Sequence, residues 1–307
     1  MFSGSLVAIL TPMHPDGAID WPAWERLLDL HLSSGTAGIV VGGTTGESPT
    51  VTEAELLELL RRARPRVHGK LALIAGAGAS GTAATVERAR RLSAAGVDAL
   101  LVVTPAYNKP TQEGLYRHFE AVAAAASVPL VLYNVPARTA VDLLPATVAR
   151  LAKLPRVVAV KEAVNSIGRI RELVAVTGSS FAVLSGDDSS AREAILNGAR
   201  GVISVTANVA PRAMANMAEA AGRADRAAAE RLDAQLAALH AALFVESNPI
   251  PVKWAAAELG LIEAGIRLPL TWLAPEYEQV VRAALEQATG VRPSQPADGA
   301  QIARMHA

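Results

Sequence analysis

Five lysines stand among 29 basic side chains, at positions 70, 109, 153, 161 and 253, and the other 24 are arginines. Where guanidinium supplies the ordinary surface charge, a retained amine is a candidate for chemistry that arginine cannot do. Lys161 ends the apolar run Val157-Val158-Ala159-Val160, and burial at such a place favours the neutral amine over the ammonium. An ordinary lysine is neutral in roughly one molecule in 2,500 at pH 7, so lowering its pKa by about three units creates a nucleophile able to attack a ketone and form a Schiff base. The competing reading is a lysine that snorkels to the rim or pairs with Glu162, and position alone leaves the two even. The other lysines are placed less well: Lys70 opens a strand, Lys153 precedes one, Lys109 sits beside Pro110 in a loop, and Lys253 lies in a helical appendage.

A second constellation is Gly42-Gly43-Thr44-Thr45-Gly46-Glu47. Glycines let backbone N–H groups approach a ligand, the threonine hydroxyls add donors, and a following helix would point its positive end at an anion. The loop lacks the lysine of a P-loop, so a carboxylate suits it better than a triphosphate, and a plain turn is the bland alternative. Gly76-Ala-Gly78-Ala-Ser-Gly81 satisfies a dinucleotide-binding pattern. The acidic residue needed at the end of the next strand is missing, however, and a tight turn is the better reading. Asp187-Asp188 reads as a helix cap. The six histidines are scattered, with no pair spaced to share a metal, so neither a metal nor an organic cofactor is called for.

These side chains need a scaffold that brings distant residues to one point. Eight short apolar runs, at 5–10, 38–41, 71–75, 99–103, 130–133, 157–160, 181–184 and 201–205, lack polar alternation, as strands buried on both faces do. Amphipathic segments separate them. Eight β-then-α repeats predict an α/β fold, a closed (β/α)₈ barrel, over residues 1–224. Its active face lies at the carboxyl ends of the strands. The candidates sit there: Thr44 and Thr45 after strand two, Tyr107 after strand four, Tyr133 and Arg138 at strand five, Lys161 at strand six, Gly186 after strand seven and Ile203 on strand eight. Ala-rich helical segments predict a C-terminal helical domain over 225–290, and the mixed Pro, Gly and polar composition of 291–307 predicts a disordered tail.

Composition narrows the function classes. The 307 residues carry 29 acidic and 29 basic groups, and 51% are hydrophobic. Zero net charge argues against a protein that grips nucleic acid or an anionic membrane surface. There are no cysteines, which removes disulfides, thiolate nucleophiles and Cys-ligated metals and permits a reducing cytoplasm. No signal peptide or membrane span is legible, so a soluble, cytoplasmic protein is expected. The extra apolar helices need a surface to pack on, and self-association is the simplest.

Several motifs together carry a family resemblance: Gly43-Thr-Thr-Gly-Glu-Ser48, Tyr133-Asn-Val-Pro136 with Arg138-Thr139, Val160-Lys-Glu-Ala163, Ser185-Gly-Asp-Asp188, Gly201-Val-Ile-Ser-Val-Thr-Ala-Asn208 and Asn248-Pro-Ile-Pro-Val-Lys-Trp254. With them the chain resembles the pyruvate-dependent class I aldolases of the dihydrodipicolinate synthase and N-acetylneuraminate lyase type. The resemblance implies that Lys161 forms an imine with pyruvate. It makes Tyr133 the acid/base, relaying protons through Thr44 to Tyr107 of a neighbouring subunit. Thr45 would hold the pyruvate carboxylate, Arg138 the carboxylate of the aldehyde, and Gly186 and Ile203 the imine pocket. It further implies condensation of pyruvate with L-aspartate 4-semialdehyde to 4-hydroxy-tetrahydrodipicolinate, in diaminopimelate and lysine biosynthesis, by a homotetramer built as a dimer of dimers. A sister activity on a sialic or sugar-derived 2-keto acid is the alternative, which Arg138-Thr139 disfavours because a polyol calls for neutral groups. Two departures stand out. Ala106 replaces the first of two tyrosines common in the family. Glu53, Leu56, Ser80, Ala84 and Ala106 occupy the positions that bind feedback lysine in sensitive members, so weak or absent inhibition by lysine is expected.

Overall fold

The computed structural model describes residues 2–291. Eight parallel strands close into a barrel in the order β1-β2-β3-β4-β5-β6-β7-β8. They are β1 Gly4–Ala8, β2 Gly38–Val41, β3 Ala72–Gly76, β4 Ala99–Val103, β5 Leu130–Asn134, β6 Val157–Glu162, β7 Ala182–Ser185 and β8 Gly201–Ser204. Around them run α1 Trp21–Ser33, α2 Glu53–Val67, α3 Thr82–Ser93, α4 Gln112–Ala125, the short α5 Pro136–Thr139, α6 Pro145–Leu151, α7 Ile167–Thr177, α8 Ala191–Leu196 and α9 Pro211–Gly222. Three further helices follow, α10 Arg226–Ala242, α11 Ile250–Glu258 and α12 Pro275–Thr289. The expected boundary at 224/225 falls between α9 and α10. The expected disordered tail lies, apart from Val291, outside the described residues.

The period of two within each strand sorts its residues onto two cores. Leu6, Ala8, Val40, Ile74, Ala99, Leu101, Val131, Ala159, Ala182, Leu184 and Ile203 point inward and fill the barrel. Their intervening neighbours, such as Val7, Ile39, Leu73, Leu100, Leu132, Val160 and Val183, point outward under the helices. The runs are apolar throughout because both sides are buried. Alanines at four inward positions limit how much of the interior is filled. Where β8 meets β1 the backbones touch: a Cβ on Gly201 would lie 2.1 Å from the Gly4 carbonyl oxygen, so only glycine fits. Asn208 latches the same seam, its Nδ2 donating to the Ala8 carbonyl at 2.9 Å and its Oδ1 accepting from Leu10 N at 2.9 Å. No helix among the described residues is long and apolar enough to cross a membrane.

Burial leaves a mark on pH stability. His31 and His118 are almost wholly enclosed, and desolvation pushes each imidazole from 6.5 down to about 4. The unfolded chain binds protons at these sites below pH 6.5 while the folded chain refuses them until about pH 4. Stability is therefore complete above pH 6.5 and falls as pH drops toward 4, by on the order of 3 kcal/mol for His31 alone. Urea unfolding followed across that window should show the loss, and His118→Gln should flatten part of the slope.

Candidate active site

Lys161 is inward because it shares a strand face with Ala159, while Val160 and Glu162 face the helices. In the β5–β6 register it lies directly beside Tyr133, which is inward by the same alternation from Val131. Both side chains are buried, Lys161 at 5% and Tyr133 at 7% exposure. The Lys161 Nζ stands 4.4 Å from the centroid of the Tyr133 ring. The amine neither snorkels to the rim nor pairs with Glu162.

Glu162 points to the other side of the wall. It accepts from Asn134 Nδ2 at 3.0 and 3.1 Å and from Val164 N at 2.8 Å, with Arg169 at 3.4 Å. Burial holds its carboxyl above the ordinary range, while Asn134, Val164 N and Arg169 pull the other way. Asn134 also donates to Asp142 at 2.7 Å, and Asp142 is paired with Arg169 at 2.7 Å. This network locks together the residues that follow Tyr133 and Lys161 in their strands, so backbone freedom at both is small. Sequence reasoning did not find it, because its four members span residues 134 to 169 and carry no local pattern.

Gly186 fixes the amine from β7. Its N–H donates to the Glu162 carbonyl at 2.7 Å, and a Cβ there would lie 3.0 Å from Lys161 Cε and 2.9 Å from Ala163 Cβ. Gly186→Ala is expected to displace the lysine side chain and lower kcat/KM by about 10- to 100-fold, with little change in melting temperature. Steady-state kinetics beside a thermal melt checks this, and wild-type kinetics would show that the lysine has room to spare.

The loop after β2 brings Thr44 and Thr45 to the same opening. It rests on Gly76, where a Cβ would lie 2.0 Å from the Gly42 carbonyl oxygen; one on Gly78 would lie 2.5 Å from Val103 Cγ1. Two glycines of the dinucleotide-like pattern, Gly76 and Gly78, thus give clearance to neighbouring groups, whereas a Cβ on Gly81 would meet nothing within 4 Å. Thr45 is buried, and its hydroxyl accepts from Asn248 Nδ2 at 3.0 Å. Arg138, from α5, donates to the Asn248 carbonyl at 3.1 Å. Thr44, Thr45, Tyr133, Arg138, Lys161 and Gly186 line one cleft of about 370 Å³. Phe244, Ser247 and Asn248, between α10 and α11, also line it. The sequence reading placed Asn248 in a family motif but gave it no role, since its position opposite Thr45 depends on how the last three helices pack.

Two expected members are not among the residues that line the cleft. Ile203 belongs to the barrel's inner layer at 1% exposure. Tyr107 is 94% exposed, at φ +76, and is not among the residues that line the cleft, so the phenol does not converge on its own chain's opening. The capping reading of the aspartates also needs correcting. Asp187 accepts from Ser190 N at 2.9 Å, just ahead of α8, whereas Asp188 accepts from Val205 N at 2.8 Å and Thr206 N at 2.9 Å and so ties the β7 loop to the end of β8. Both serve backbone N–H groups, but those that Asp188 serves open the 3-10 turn Thr206–Asn208 and not α8.

A further cleft of about 320 Å³, lined by Phe181, Val183 and Arg200 among others, opens at the amino-terminal part of β7 and gathers no comparable chemistry. Among the described residues, His14, Asp20 and Glu263 bring possible ligand atoms within 4.8 Å of one another. Asp20 is engaged there as the cap of α1, and His14 is hydrogen-bonded to Glu263 at 3.1 Å.

A barrel whose sixth strand delivers a buried amine to a phenol of the fifth, beside hydroxyl donors and a guanidinium, defines a lyase of the class I aldolase type, built for Schiff-base chemistry. The dihydrodipicolinate synthetase family matches residues 1–288, and the chain belongs to that family. It is 54% identical over 288 residues to the 4-hydroxy-tetrahydrodipicolinate synthase of Methylococcus capsulatus, covering 94% of this chain and 99% of that one. Among solved structures it is similar to the dihydrodipicolinate synthase of Acinetobacter baumannii complexed with pyruvate, with TM-score 0.93, 46% identity and coverage of 95% and 100%. A monomeric dihydrodipicolinate synthase variant is similar at TM-score 0.91 and 40% identity, covering 94% of this chain and 97% of that one.

Proposed function

We propose that this chain condenses pyruvate with L-aspartate 4-semialdehyde to give 4-hydroxy-tetrahydrodipicolinate, a step in diaminopimelate and lysine biosynthesis. The observation that carries the reading is the buried Lys161 amine, 4.4 Å from the Tyr133 ring, in a cleft that also holds Thr45 and Arg138. The unprotonated amine adds to C2 of pyruvate, and loss of water leaves an imine whose nitrogen withdraws electrons from the methyl carbon. Removal of a methyl proton gives an enamine. Its terminal carbon attacks the aldehyde carbon of the second substrate, and the new alkoxide takes a proton. The substrate's own amino group then adds to the imine carbon, closing the ring and releasing Lys161.

Tyr133 moves these protons, through the Thr44 hydroxyl to Tyr107 supplied by a second copy of this chain. Thr45 and neighbouring backbone N–H groups hold the pyruvate carboxylate. Arg138 at the opening holds the carboxylate of the aldehyde, and Gly186 and Ile203 shape the imine pocket. The exposure of Tyr107, 94% on a single chain, supports an assembly in which another copy covers it, and we read that assembly as a homotetramer, a dimer of dimers. Residues 1–224 act as the catalytic domain and 225–290 as a helical domain. The absence of cysteine suits a cytoplasmic location.

The test is borohydride reduction in the presence of pyruvate, followed by peptide mass mapping. A pyruvyl adduct on Lys161 is expected, and an adduct elsewhere, or none, would overturn the mechanism. Turnover of aspartate semialdehyde compared with sialic and sugar-derived keto acids then decides the second substrate.

A further inference from the structure

Lys253 is the one lysine besides Lys161 that the fold encloses, at 0% exposure, and its ammonium meets Glu47, itself at 1%. Glu47 ends the loop that carries Thr44 and Thr45. Its own N–H donates to the Thr44 carbonyl at 3.0 Å, and its second carboxylate oxygen accepts from Arg267 N at 3.1 Å. Three features separate this pair from an ordinary ion pair. Burial pushes the Lys253 amine below its usual range even against the pull of Glu47, and apolar residues often replace a buried pair without loss of stability. Glu47 also adopts φ +56, a left-handed conformation that favours glycine or asparagine, and such strain persists where the side chain is needed. Finally, the stretch that supplies Lys253 grips the loop twice: Asn248 donates to the Thr45 hydroxyl at 3.0 Å, and five residues on Lys253 holds Glu47. The carbonyl of the same Asn248 accepts from Arg138 at 3.1 Å.

We infer that Lys253 and Glu47 are positioning residues for the reaction, a buried pair through which α11 sets the Thr44 and Thr45 hydroxyls against the imine and ties the pyruvate carboxylate site to Arg138. The pair touches neither substrate. It acts through the loop, so its loss misplaces the carboxylate donor and the proton relay while leaving the Lys161 amine where it is. The inference rests on the pyruvate reading above.

Lys253→Met alone would strand a buried carboxylate and endanger the fold, so the decisive variant is Glu47→Gln with Lys253→Met, which removes both charges and keeps both shapes. Pyruvate KM is expected to rise about tenfold and kcat to fall by a similar factor, while circular dichroism and a cooperative melt stay native. Saturating pyruvate should still trap on Lys161 with borohydride. Glu47→Asp, which keeps the charges but withdraws the carboxylate by one methylene, decides the same question by the same readouts if the double variant does not fold. Wild-type KM and kcat in whichever variant is folded would overturn the positioning role. A wild-type protein that traps no pyruvate on Lys161 would instead sink the pyruvate reading, so the two failures are distinguishable.

Discussion

Lys161→Arg is expected to reduce turnover to background and to leave no adduct after borohydride treatment with pyruvate. Arginine keeps the positive charge and most of the stem, so the substitution asks for one property only, a nitrogen that can lose its proton and add to a ketone. A guanidinium keeps its protons at any pH the protein survives. No other lysine can stand in. Lys253 is enclosed against Glu47, and Lys109 has a positive φ in the exposed loop beside Tyr107, away from the cleft-lining residues. Secondary structure should survive, although the fit beside Gly186, whose added Cβ would come within 3.0 Å of Lys161 Cε, leaves little room for the broader head. Circular dichroism separates lost chemistry from lost fold. Residual turnover within about tenfold of wild type would show that the imine lies off the reaction path.

How much of this was legible beforehand depends on whether a feature is local in sequence. The strands were, because burial on both faces writes an uninterrupted apolar run; the eight predicted runs overlap the eight observed strands, with ends differing by at most two residues. Lys161 was legible as a candidate because it ends such a run. What placed it was register: Tyr133 and Lys161 are neighbours only once β5 and β6 pair, and no spacing of 28 residues announces that. The Asn134, Asp142, Glu162 and Arg169 network, the Asn248 bridge and the Glu47–Lys253 pair were illegible for the same reason. Each joins groups whose partners are chosen by tertiary packing, across 206 positions in the last case. Lys253 was set aside in the sequence as a lysine of a helical appendage. Its burial shows that the appendage reaches back into the loop that holds the threonines.

Tyr133→Phe removes one oxygen from the site and tests the other half of the mechanism. The ring supplies the apolar contact with Lys161, at 4.4 Å from its centroid, and belongs to the inner-layer cluster with Val131, Val135 and Ile203. Phenylalanine keeps all of that, so the fold and the placement of the amine should be unchanged. A positioned acid/base contributes about 10²- to 10⁴-fold, and kcat is expected to fall within that range. Pyruvate KM should move by a few-fold at most, because the proposed mechanism gives the carboxylate to Thr45 and not to the phenol. The imine should still form, more slowly, and be trapped on Lys161 given time. If instead the variant loses pyruvate affinity while kcat holds, the hydroxyl is a binding group and the protons travel by another route. The comparison with Lys161→Arg is then informative in itself: one variant stops the covalent step outright and the other leaves it intact but starved of protons, so only the second should accumulate a trappable adduct.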